Sequence, residues 1–278
     1  MSKYVVSRSC VGVVLLAAGL ASPALAQFSY PNFASTANLT FNGVAVQTGN
    51  TISVTPPVGA SAGSFWRTGN QLMGLGFVTN FTFRISDIAG VGADGFAFVL
   101  QNEGLTALGG TGGAIGYATN LAFPSQIGIG NSIAIEFDTW NNGNNWPDFG
   151  NGNHVSIQTN GLSANLPGSA NSLGAANPTT NMSDGAIHAV RIVYTPGLMQ
   201  VFLDDLTTPL LTAPVTITNH MSLTSGRAFI GFTAATGGAA NAERHEILSW
   251  DYEGVIPAPG AASLLALGGL VAMRRRRA

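Results

Sequence analysis

Cysteine is almost missing from this 278-residue chain: the single one, Cys10, lies in an N-terminal stretch that reads as removable. Residues 1–26 begin with Lys3 and Arg8, continue through the apolar run 11–20 and end on Ala24-Leu25-Ala26 before Gln27, the order of an export signal. The exported chain then holds no thiol, so its stability must come from burial alone, which a domain of ~230 residues can supply. Basic residues are scarce too. Between residues 27 and 253 there are five, all arginine, against the thirteen acidic residues of the chain, which argues against nucleic acid as a partner. The other four arginines, Arg274 to Arg277, follow the apolar stretch 260–273, a membrane-stop arrangement with its basic end in the cytoplasm. That stretch spans ~21 Å as helix against a ~30 Å hydrocarbon core, so it is a marginal span.

Also lacking is any long apolar pattern of helical period. What is present instead is alternation in short runs separated by Gly, Asn, Pro and Ser, the pattern of half-buried antiparallel strands. Strands are predicted at 38–41, 51–54, 76–85, 95–100, 132–139, 154–158, 186–195, 198–203, 228–233 and 245–252, and so many short strands read as a sandwich or jelly roll. Residues 161–184, rich in Ser, Asn, Ala and Gly, are expected to form a long mobile surface loop.

Chemistry concentrates near residue 138. On a strand, residues two apart share a face, which places Glu136, Asp138 and Trp140 together and turns Ile133, Ile135 and Phe137 toward the interior. Only 9% of the residues are charged, and two neighbouring carboxylates on one face call for a compensating cation. Calcium takes oxygen ligands from carboxylates, amides and backbone carbonyls, a set that Asp138, the Trp140 carbonyl, Asn142 and Asp148 offer. Glu136, Asp138, Asp148 and His154 form a second, mixed oxygen and nitrogen set suited to an ion such as manganese. A solvated acidic strand end is the alternative. His188 and His220 show no acidic neighbours at ligand spacing and are given no role.

The run Glu136-Phe137-Asp138-Thr139-Trp140, with Asn142 and the downstream Asp148 and His154, resembles the metal-binding signature of the legume (L-type) lectin family. Residues 76–83, Ala93-Asp94-Gly95, the glycine-rich 109–117, 184–194, 231–237 and 245–250 resemble further family segments in the same order. The resemblance implies an all-β, concanavalin-like jelly-roll β-sandwich over residues 27–253, a non-enzymatic carbohydrate-binding function and Ca2+ with a second ion such as Mn2+. It further implies that Asp94, after a cis peptide from Ala93, accepts hydrogen bonds from sugar hydroxyls. Gly113 would offer a backbone N–H, Asn142 would serve calcium and sugar together, and Trp140 would present its ring to the sugar. Gly237 to Asn241, with Gly238, would tune sugar choice. His245 matches a structural family position, and homodimers are common in the family.

The tail Val255-Ile256-Pro257-Ala258-Pro259, the apolar run and the arginines resemble a PEP-CTERM sorting signal over residues 254–278. That implies processing by an exosortase and residence at the cell surface or in the extracellular polysaccharide of a Gram-negative-type bacterium, with a helical membrane segment held transiently or permanently. Two other readings compete. One is a structural matrix protein that keeps the fold and has lost sugar binding. The other is a laminarinase-like glycoside hydrolase, which needs a second catalytic glutamate where positions 140 and 141 are Trp and Asn.

Overall fold

Alternating side chains set the interior. Along the strand Phe77–Ala89, Phe77, Thr79, Phe81, Phe83 and Ile85 are buried while the residues between them are half-buried. A strand with one face on a core and the other toward solvent follows from such a sequence. The computed structural model describes residues 24–143, 151–166, 169–238 and 240–256.

Among these residues there are sixteen strands. They begin with β1 (Ala24–Tyr30), β2 (Leu39–Gly43), β3 (Val46–Thr48), β4 (Thr51–Thr55), β5 (Ala62–Arg67) and β6 (Gln71–Leu72). The middle of the chain gives β7 (Phe77–Ala89), β8 (Gly95–Gln101), β9 (Ser132–Asp138), β10 (His154–Thr159) and β11 (Ser172–Ala176). The last are β12 (Ile187–Thr195), β13 (Leu198–Leu203), β14 (Leu211–Ala213), β15 (Arg227–Ala235) and β16 (Ala242–Ile256). A 3-10 turn at Gly112–Ala114 and a four-residue helix at Ile217–His220 are the helical pieces among the described residues.

The strands make an antiparallel sandwich of two eight-stranded sheets. One runs β14-β13-β12-β7-β16-β4-β3, with β1 also on β16. The other runs β11-β10-β9-β8-β15-β5-β2, with β6 also on β15. Between them Phe81, Phe83, Phe96, Phe98, Phe137, Phe232 and Trp250 interlock: Phe96 stacks on Phe137 at 4.8 Å, and Phe81 and Trp250 meet Phe232 edge-on at 4.9 and 5.1 Å. Such pairs add ~0.5–1.5 kcal/mol each beyond their buried area. Trp250 keeps its polar end satisfied by donating to Thr79 Oγ1 at 2.9 Å.

The second sheet is covered on its outer face as well. All seven positions of β8 and of β9 are buried. Ile133, Ile135 and Phe137 enter the main core as expected. Ala97, Val99 and Ala134 face the other way and pack with Trp66, Ala114, Ile115, Tyr117, Ala118 and Ile129 in a smaller cluster. The connection between β8 and β9 therefore lies across this sheet, which places its glycine-rich turn beside the end of β9.

Ten predicted strands correspond to observed ones, with ends shifted by a few residues. The stretch 161–184 differs from expectation: β11 lies within it and pairs with β10, and Asn165 and Met182 are buried. Its small residues suit a half-buried edge strand without showing clear alternation. β16 continues to Ile256, past the boundary expected at 253. Among the described residues no helix is long and apolar enough to cross a membrane. The leader up to residue 23 and the tail from residue 257 lie outside the described residues.

Candidate functional site

Register builds the acidic end of β9. Ala97 and Ser156 stand opposite Glu136, while Gly95 and His154 stand opposite Asp138. Only glycine fits at position 95: its φ is +134°, and a Cβ would meet the Phe137 carbonyl oxygen at 2.3 Å. This close approach brings residue 94 against the chain leaving β9.

Asp94 is buried and fixed through its backbone, its N–H donating to Ala235 O (3.1 Å) and its carbonyl accepting from Thr139 N–H (2.9 Å). The Ala93–Asp94 peptide is cis. The next turn is held by Asp138, whose Oδ1 accepts from Trp140 N–H at 2.7 Å. Beneath it, Thr139 Oγ1 donates to the fully buried Glu243, which also accepts from Ser183 Oγ (2.9 Å) and lies 3.2 Å from His245 Nε2. Burial opposes ionisation of Glu243, but its contacts with His245, Thr139 and Ser183 outweigh that and hold its pKa below the ordinary carboxylate value.

The glycine turn 112–114 faces this end of β9. A Cβ on Gly113 would stand 2.8 Å from Asn142 Nδ2, so the glycine lets the Asn142 amide lie directly against the backbone. From the far side, Thr236 Oγ1 donates to Val58 O (2.6 Å) and Ala60 N–H donates to Gly237 O (2.6 Å), holding Gly237 in place, and Asn241 N–H donates to Gly238 O (2.9 Å).

These pieces enclose one open depression of ≈ 380 Å³. Asp94, Gly113, Trp140 and Asn142 line it, and so do Gly237, Gly238 and Asn241, so the seven residues expected around a sugar are brought together. Ala60, Ala93, Ala122 and Phe123 add apolar wall, and Thr111, Gly112, Asn120 and Thr236 complete it. None of these eight is expected from the sequence to contact sugar, although Ala93, Thr111, Gly112 and Thr236 lie in segments that carry the family resemblance. Gly112 neighbours a noted glycine, whereas Ala60 and Phe123 come from loops without period or motif.

The expected metal ligands are placed as follows. Asp138 is buried behind the depression, Asn142 and Trp140 are half-buried on its wall, and Asp148 lies outside the described residues. His154 is fully buried, and burial lowers its pKa, so at neutral pH it is an uncharged imidazole. Its Nε2, 4.0 Å from Asp138 Oδ2, has no hydrogen-bond partner among the described residues, as suits a nitrogen that meets a metal. Both oxygens of Glu136 accept hydrogen bonds: Ser156 Oγ donates to Oε2 at 2.6 Å and Asn165 Nδ2 donates to Oε1. Tyr117 stands beside both acids, and burial first, then the charges of Glu136 and Asp138, push its pKa well above the ordinary tyrosine value. Neutral donors thus offset part of the repulsion that the sequence assigned wholly to a cation. Among the described residues no three His, Cys, Asp or Glu side chains group closely enough to hold an ion by themselves. The oxygen donors of Asp138, Asn142 and the Trp140 carbonyl fit calcium in kind, and the unpartnered His154 nitrogen fits a second ion.

His188 proves not to lack acidic neighbours. Its Nδ1 lies 3.0 Å from Asp204 and its Nε2 3.1 Å from Asp184. The first follows β13, the hairpin partner of the strand that carries His188, and the second comes from the preceding loop. His245 is fully buried, with Thr55 Oγ1 2.6 Å from its Nδ1.

A family model described as the legume lectin domain matches residues 25–264. A lectin of Bauhinia forficata is 33% identical over 123 residues, 41% of this chain and 52% of the relative, so the matched part spans about half the relative's length. An anti-H(O) lectin of Lotus tetragonolobus is 29% identical over 189 residues, covering 66% of this chain and 71% of the relative. The solved structure of the Bauhinia forficata lectin in complex with GalNAc superposes with a TM-score of 0.66 at 26% identity, over 83% of this chain and 98% of that one.

Proposed function

Because this chain belongs to the legume lectin family, we propose that it is a calcium-dependent carbohydrate-binding protein, exported and acting at the cell surface or in extracellular polysaccharide. The observation that carries the reading is the convergence of Asp94, Gly113, Asn142 and Trp140 on one depression. A carboxylate, a backbone N–H and an amide there complement the hydroxyls of a sugar, and an aromatic ring complements its C–H face. The relatives named above are lectins, one of them solved with GalNAc, and a hexopyranose is the ligand class we infer.

Asp138, Asn142, the Trp140 carbonyl and Asp148 would hold calcium, and Glu136, Asp138, Asp148 and His154 a second ion such as manganese. When bound, calcium supplies positive charge that fixes the acidic turn against Asp94. In this assignment Asn142 gives its oxygen to the ion and its nitrogen to a sugar hydroxyl, Asp94 accepts from two hydroxyls, and the 237–241 turn selects among sugars. The leader at residues 1–26 and the PEP-CTERM-like tail at 254–278, cut by an exosortase, account for export and sorting in this proposal, and a homodimer is its assembly.

Hydrolysis is disfavoured by the chemistry of Glu136. The residue is fully buried with both oxygens accepting hydrogen bonds, and no second glutamate follows at 140 or 141. The test is a glycan array probed with the purified protein in calcium and again in chelator. Signal on a set of glycans in calcium and its loss in chelator are expected. Equal signal in both overturns calcium dependence, and no signal in either favours a structural matrix protein.

A further inference from the structure

Residues 119–128 carry none of the motifs on which the family resemblance rests, yet Asn120, Ala122 and Phe123 build one wall of the depression. Within them Leu121, Phe123 and Ile127 are exposed, at 51%, 59% and 63%. Single exposed apolar residues are ordinary, but three within seven positions beside a binding depression are not. The loop that carries them is fixed. Asn120, nearly buried, accepts from Ala122 N–H (2.9 Å) and Phe123 N–H (3.2 Å) through Oδ1 and donates from Nδ2 to Thr111 O (2.8 Å). Gln126 Oε1 accepts from Thr111 N–H and Oγ1, both at 2.9 Å, and Gln126 N–H donates to Phe123 O at 2.8 Å. Gly128 N–H closes the base onto Thr119 Oγ1 at 2.9 Å. Thr111 directly precedes the 112–114 turn, so the loop is tied to the turn that carries Gly113.

Phe123 is therefore held out toward solvent by a closed set of hydrogen bonds that its own ring does not need. It lines the same depression as Trp140 and Asp94. We propose that Phe123 is a second aromatic platform of the site, taking the apolar face of a sugar ring linked to the one held at Asp94 and Trp140. The substrate class is then an oligosaccharide or a polysaccharide chain end, with the terminal unit fixed by hydrogen bonds and the next unit by ring contact. The backbone that carries the ring is already ordered by these bonds, so binding has only the ring's own rotamer left to fix and the apolar contact appears largely as affinity. The inference rests on the carbohydrate-binding reading above.

The test compares wild type, Phe123→Ala and Phe123→Trp in calcium on an array printed with the same terminal sugars alone and at the ends of di- and trisaccharides. The bracing bonds use backbone and the side chains of Asn120, Gln126, Thr111 and Thr119, so removing the ring leaves the loop intact. For Phe123→Ala, binding to the longer glycans is expected to fall about tenfold, the equivalent of ~1.4 kcal/mol, with the single sugars changed less than about twofold and Phe123→Trp restoring the difference. A uniform fall on both sets, or no fall on the longer glycans, overturns the proposal. No wild-type signal on any sugar overturns the carbohydrate reading instead, and this inference falls with it.

Discussion

Gly113→Ala perturbs the proposed site at a single contact. Its φ lies outside the left-handed region, so the backbone accepts alanine, but the new methyl would stand 2.8 Å from Asn142 Nδ2, 3.2 Å from Oδ1 and 3.3 Å from Cγ. Ordinary contact begins near 3.4 Å, so the Asn142 head group must retreat by about 0.6 Å or rotate. In the proposal that amide bridges calcium and a sugar hydroxyl, and the Gly113 N–H is a sugar donor that the methyl partly covers. Losing one or two such bonds in a desolvated site costs about 1–3 kcal/mol, a tenfold to hundredfold weaker affinity. Because both groups sit on the rim and not in the core, the melting temperature should fall by no more than a few degrees. Calorimetric titration with a glycan identified on the array gives the affinity, and differential scanning calorimetry gives the melting temperature. An unchanged affinity would refute the assignment of Gly113 and Asn142. A large fall in melting temperature would show that the contact matters to the fold and not to the site.

Asp94→Ala should abolish glycan binding on the array while the circular dichroism spectrum keeps its β-sheet form, because the backbone hydrogen bonds to Ala235 and Thr139 remain. Glu243 yields a pH prediction. Its folded pKa is depressed, so its stabilising contribution is present above the ordinary glutamate value of about 4.3 and is lost as pH falls through the lower folded value. Urea midpoints measured from pH 6 down to about 3 should therefore drop more steeply in wild type than in Glu243→Gln, and parallel curves would contradict the linkage.

Strands that alternate cleanly were legible. β7 and β12 show one buried face, and β13 was predicted at its observed limits. β5 was not, because Ala62, Gly63 and Ser64 lack the bulk that marks a strand; they are small for steric reasons, a Cβ on Gly63 meeting Val54 O at 2.1 Å. β11, Ser-Leu-Gly-Ala-Ala, has the composition of a loop and becomes a strand only by pairing with β10. The depression was legible where a motif carries it, at Asp94 and Asn142, both of which line it. What three-dimensional closure brings together was not legible, as with Phe123 and the Ser156 and Asn165 donors to Glu136. Those partners are separated from the motif by loops whose path no local pattern encodes, whereas Asp204 meets His188 through the register of the tight β12–β13 hairpin, whose two strands the sequence does predict.

The most direct test of a cation-organised sugar site is a titration of metal-stripped protein with an array-identified glycan before and after calcium is restored. Sugar heat that is absent from the stripped protein and appears once calcium is added is the predicted result. Full sugar affinity in the stripped protein, or none after calcium and manganese are both returned, would contradict it.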